Sequence, residues 1–118
     1  MFRLQSEKKV LLTPGKYIST VLNVYDHPEY VSGSAVKINY ELKDEAGNLF
    51  NFEEVYITIG NNTRTKTFCD YLREYGIEEW ADLVGCMERV TLLKNPGKYK
   101  TFLKIAEREF IMEEEQCD

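Results

Sequence analysis

The sequence predicts a small, mostly β domain: five antiparallel strands, with one helix and a second, shorter helix between the third and fourth. Three observations carry this expectation. Apolar residues recur at period two over five stretches, the period changes to helical spacing once near the middle, and Gly- and Pro-bearing turn signals separate the stretches.

The first stretch, 16–25, sets Ile18, Leu22 and Val24 on one face and Tyr17, Ser19, Asn23 and Tyr25 on the other. In 34–43 the alternation is stricter, with Val36, Ile38, Tyr40 and Leu42 opposed to Lys37, Asn39, Glu41 and Lys43. The third, 49–59, opposes Val55, Ile57 and Ile59 to Phe50, Phe52, Tyr56 and Thr58. Such alternation marks strands that bury one face. Over 65–75, Phe68, Leu72 and Tyr75 fall at i, i+4 and i+7, the stripe of an amphipathic helix. Asn62 or Thr63 can cap its start, and Gly76 suits its left-handed stop. A second short helix is expected over 78–84, ending at Gly85, with Trp80, Leu83 and Val84 turned inward. Strands 87–93 and 99–106 then flank Lys94-Asn95-Pro96-Gly97-Lys98 as a hairpin.

Five strands with a helix between the third and fourth is the connectivity of the OB-fold, a Greek-key barrel whose closure removes exposed strand edges. The expected boundaries are an N-terminal extension over 1–13, the domain over 14–111 and an acidic tail over 112–118. A chain of 118 residues suits a single core. With 43% hydrophobic and 30% charged residues it is neither collagen-like nor wholly disordered. No apolar run nears the roughly 20 residues of a membrane helix, and the first residues carry no apolar signal region. A cytoplasmic domain without membrane contact is expected.

Net charge is −5, but six acidic residues and one basic residue, Arg108, lie from Glu107 onward. The rest of the chain is balanced, so the acidity reads as a tail and Arg108 as part of it. This composition disfavours a generic polyanion binder and leaves room only for a local basic stripe. Three widely spaced cysteines, Cys69, Cys86 and Cys117, and one histidine, His27, make no zinc spacing, so free thiols and no metal are expected.

The segments Pro14-Gly15-Lys16-Tyr17, Phe68-Cys69-Asp70-Tyr71-Leu72, Ile77 through Gly85, and Pro96-Gly97-Lys98-Tyr99 together resemble the single-stranded-DNA-binding-like OB-fold family of phages and mobile elements. The similarity runs over about residues 14–106. It implies sequence-tolerant binding of single-stranded DNA in replication or recombination. A replication or recombination protein, and a second copy of the chain, are the further partners it leaves open.

Single-strand binding needs rings on which bases stack and cations along the backbone path. The expected stacking residues are Tyr25, Tyr56 and Tyr99; the expected phosphate contacts are Lys37, Lys43, Lys94, Lys98 and Lys100. Phe50 and Phe52 read as core, since rings dominate small cores. The lysine-rich hairpin can equally be a solvated edge that blocks strand pairing. No G-x-S-x-G, H-E-x-x-H or phosphate-cradling glycine loop is present, so neither catalysis nor a cofactor is expected. The competing reading is a protein-binding module, a mobile-element adaptor or inhibitor of a host protein that uses an acidic surface.

Overall fold

The structure is a computed structural model and describes residues 10–97 and 101–111. Its elements run β1 (Gly15–Asp26), β2 (Ala35–Lys43), β3 (Leu49–Ile57), α1 (Thr63–Glu74), a 3-10 turn (Trp80–Leu83), β4 (Met87–Pro96) and β5 (Thr101–Phe110). All pairings are antiparallel, in one sheet of order β3-β2-β1-β4-β5. The long β1 is the hinge of the arrangement. Its residues 18–26 pair with β2 and its residues 15–20 pair with β4. The predicted OB-like order of strands and helix is the one found, with one difference: the sheet does not close, because no ladder joins β3 to β5.

Local chemistry explains why. On β3 the carbonyls of Val55 and Ile57 accept from Arg64 and the Thr65 hydroxyl of α1, at 2.7 Å each, so the C-terminal end of this edge is taken by the helix. The helix itself starts where expected, with the Asn62 side chain accepting from the Thr65 amide at 3.0 Å. It stops at Gly76, whose φ of +83° needs a residue without a Cβ. The expected second helix is shorter than predicted, a single 3-10 turn in which Leu83 is buried and Val84 is exposed.

The core lies between the sheet's concave face and α1. Val36, Ile38, Tyr40 and Leu42 of β2 are buried as the alternation requires, with Leu72, Leu83, Val90 and Leu92 packed against them. Two bulges rewrite the pattern elsewhere. In β1 the register slips between Val21 and Asn23, so Leu22 is the extra residue. Tyr17, Ser19 and Val21 therefore face inward and Val24 faces the core after the slip, while Leu22 is exposed. This corrects the inward placement of Ile18 and Leu22 and the outward placement of Tyr17 and Ser19. In β5 the slip falls at Ala106, and it brings Arg108 and Phe110 to the inner face beside Val90 and Glu88. Glu107, Arg108 and Glu109 thus belong to a strand, not to a tail.

Arg108 is the centre of a buried polar cluster. Its guanidinium donates to both oxygens of Glu54 on β3, at 3.0 and 3.1 Å, and to Glu88 on β4 at 3.2 Å. Tyr40 and Tyr56 donate to Glu54 at 2.6 and 3.1 Å, and Tyr71 of α1 donates to Glu88 at 2.8 Å. A column of rings continues the cluster: Arg108 lies 4.6 Å over Phe68, Phe68 stacks on Tyr56 at 4.4 Å, and Arg64 lies 4.0 Å over Tyr56. One side chain therefore spans the seam that backbone pairing leaves open.

Burial pushes the Glu88 carboxyl above the ordinary range, and the opposing pull of Arg108 and the Tyr71 hydroxyl offsets this only in part. A carboxyl raised by folding holds its proton longer in the native state. Its contribution to stability is full at acid pH and fades as pH rises through the raised value. Glu88→Gln keeps an oxygen acceptor but cannot titrate. The stability of the wild type minus that of Glu88→Gln, from urea unfolding at stepped pH, should fall from about pH 4 upward; a difference flat with pH contradicts this.

Candidate functional site

The convex face of the sheet carries most of the expected contact residues that the structure describes, and register fixes their neighbours. Tyr25 of β1 lies opposite Lys37 of β2, which lies opposite Val55 of β3. One step along, Asn23 faces Asn39, and Asn39 faces Glu53. At the far end Ile18 lies between Lys43 and Arg89. Lys37 and Lys43 are six residue steps apart along β2, or about 20 Å. The structure thus brings Tyr25 and Lys37 together and leaves Lys43 apart from them.

Tyr25 is 40% exposed, and its hydroxyl accepts from the Asn39 amide at 3.4 Å. Lys37 is not a free cation. Its Nζ sits 3.0 Å from Glu53, and that hydrogen bond holds the ammonium above its ordinary range. Lys43 is exposed and makes no ion pair among the described residues. It lines a groove of about 540 Å³ with Lys16 and Arg89, and Asp44, Glu45, Glu107 and Glu109 line the same groove. That groove mixes both signs.

Tyr56 requires a correction. It is 3% exposed, stacked on Phe68 and hydrogen-bonded to Glu54, so its ring offers no face to a base. The physical reason is the parity of β3, where Phe50, Phe52, Glu54 and Tyr56 form the inner row. Phe50 and Phe52 pack against the core, as their reading from sequence required. Tyr99, Lys98 and Lys100 lie outside the described residues.

The β4–β5 hairpin holds a residue that sequence reasoning missed. Leu92 is the last β4 residue paired to β1, through Gly15, yet the β4–β5 ladder continues to Pro96 and Thr101. Beyond Leu92 the hairpin is a two-stranded arm with no third strand beside it among the described residues. Leu93 faces Lys104, and Asn95 faces Phe102, so these four share one side. Leu93 is 47% and Phe102 is 46% exposed, with Lys104 exposed on the same side and Lys94, opposite Leu103, exposed on the other. The signal in the sequence was the alternation Phe102-Leu103-Lys104-Ile105, which separates Phe102 and Lys104 from the packed Leu103 and Ile105.

Cys69 and Cys86 are free and half-buried, and no group of side chains among the described residues is arranged to hold a metal ion. No described helix is long and apolar enough to cross a membrane. Comparison of the chain with protein-family models, with curated proteins and with solved structures finds no match.

The two tyrosines should separate cleanly under truncation. Tyr56→Ala should cost about 3–5 kcal/mol in urea unfolding, because a packed ring and a hydroxyl serving a buried carboxylate are both lost. Tyr25→Ala should cost less than about 1 kcal/mol. Equal losses would contradict the burial assigned to the pair.

Proposed function

We propose that the chain is a non-catalytic, sequence-tolerant binder of single-stranded DNA. In this reading the strand crosses the convex face of β1, β2 and β3 and lies against the β4–β5 arm. The strand 2–3 face and the loop between strands 4 and 5 are where OB-type domains hold oligonucleotides.

The observation that carries this reading is Phe102. A ring nearly half exposed on a projecting hairpin, beside Leu93 and with Lys104 on the same side, is not part of the described core. It is the combination single-strand binding uses: an aromatic platform with cations at the backbone path. Tyr25 supplies a second ring on the face, and Lys43 a second cation. A role in phage or mobile-element replication or recombination, within the cytoplasm, follows from the sequence resemblance alone.

A second reading has its own observation. Around the 3-10 turn, Glu78, Glu79 and Asp82 are exposed, with Val84 and Met87 at 51% and 37% exposure. An acidic surface with apolar residues among its charges is what the protein-partner alternative requires.

Titration of labelled oligo-dT at two salt concentrations separates the two. Binding that weakens steeply with salt is expected. Phe102→Ala should weaken it by about 5- to 150-fold, the equivalent of one lost stacked base. Lys104→Glu should weaken it for all sequences and flatten the salt slope. Absence of binding even at low salt overturns the proposal and favours a protein partner.

A further inference from the structure

Beside Tyr25 the convex face holds a pocket of about 290 Å³ lined by Leu22, Asn23, Asn39, Asn51 and Glu53, with Tyr40 and Phe52 behind them. Its composition is unusual for a sheet surface. Three strands each contribute one asparagine, and the only charge in the lining is a carboxylate. The β1 bulge is what gives it an apolar wall, since Leu22 is the extra residue and is 44% exposed.

The hydrogen-bonding inventory is partly committed. Asn39 donates from Nδ2 to Asn23 Oδ1 at 2.8 Å and to the Tyr25 hydroxyl at 3.4 Å. That pair fixes both amides and draws Tyr25 to the pocket's side. Glu53 gives Oε1 to Lys37. Left over among the described residues are Glu53 Oε2 and Asn39 Oδ1 as acceptors, the Asn23 Nδ2 as a donor, and the whole amide of Asn51. A flat apolar body bordered by both donors and acceptors is the complement of this lining, and a nucleobase has that form.

We infer that this pocket receives one base of the bound strand and selects for an exocyclic amino group. The inference rests on the single-strand reading and deepens it. An ionised carboxylate only accepts, so Glu53 pairs with the amino group of cytosine, adenine or guanine. Thymine has no exocyclic amine; its one donor on that edge, N3–H, is flanked by two carbonyls, so a carboxylate that accepts from it meets a carbonyl oxygen on either side. The surface as a whole stays sequence-tolerant, and discrimination is confined to this one position.

Oligo-dC and oligo-dT of equal length separate the possibilities, since both are pyrimidine strands with the same backbone charge. Oligo-dC should bind about tenfold more tightly, the lower half of what one well-made base contact gives. Glu53→Gln places a donor as well as an acceptor at the same position, so the dC/dT ratio should fall toward one with oligo-dT binding retained or improved. Equal binding of the two strands by the wild type, or an unchanged ratio in Glu53→Gln, overturns the base pocket and leaves single-strand binding standing. Failure of both strands to bind at low salt removes the single-strand reading, and the pocket's role with it.

Discussion

The structure depends on one guanidinium reaching two carboxylates. Buried charges are tolerated only where they are paired and hydrogen-bonded. Arg108, 13% exposed, meets this demand with both oxygens of Glu54 and with Glu88, whose side chains are 8% and 4% exposed. The three residues come from β5, β3 and β4. Their contact therefore fixes how far the two edge strands of the sheet can stand apart. Helix α1 completes the arrangement, because Phe68 lies under the guanidinium and Tyr71 donates to Glu88. A side-chain bridge and a helix perform here the closure that a backbone ladder performs in a closed barrel.

The same cluster sorts the aromatic residues. Glu54 accepts from Tyr40 and Tyr56, and burial raises both phenols well above their ordinary range, so neither ionises near neutral pH. A tyrosine whose hydroxyl serves the cluster is held inside. Among the described residues, those left outside are Tyr25, on the convex face, Tyr30, in the loop after β1, and Tyr75, at the end of α1. The polar interior and the polar convex face are thus two sides of one alternation, and the β1 bulge and the β5 slip decide where that alternation changes phase.

This explains which features were legible in the sequence. Residues 34–43 alternate without interruption, so every β2 assignment follows from period two alone. Helix α1 carries its cap and its stop as residue types, Asn62 and Gly76, and both were readable. The inner row of β3 was not, because its apolar residues are interrupted by Glu54, and a glutamate reads as solvent-facing unless its arginine is known. Arg108 stands 54 positions later among acidic residues, where local charge reads as a tail. The bulges at Leu22 and Ala106 carry no glycine signal, so the changes of face in β1 and β5 were hidden too. Of the contact residues, Tyr25 and Lys37 were recognisable as lying on the polar sides of their strands, whereas Phe102 depends on knowing that the hairpin outruns β1.

A double-mutant cycle on Arg108 and Glu54 tests the bridge most directly. Arg108→Met and Glu54→Leu are compared, singly and together, by urea unfolding. Arg108→Met strands the buried carboxylates of Glu54 and Glu88, whereas Glu54→Leu leaves Arg108 paired with Glu88 alone. The double variant has one stranded carboxylate fewer than Arg108→Met, so the account expects it to lose less than the sum, by about 2–3 kcal/mol. Additive losses, within about 0.5 kcal/mol, would mean that the two side chains do not hold the seam together.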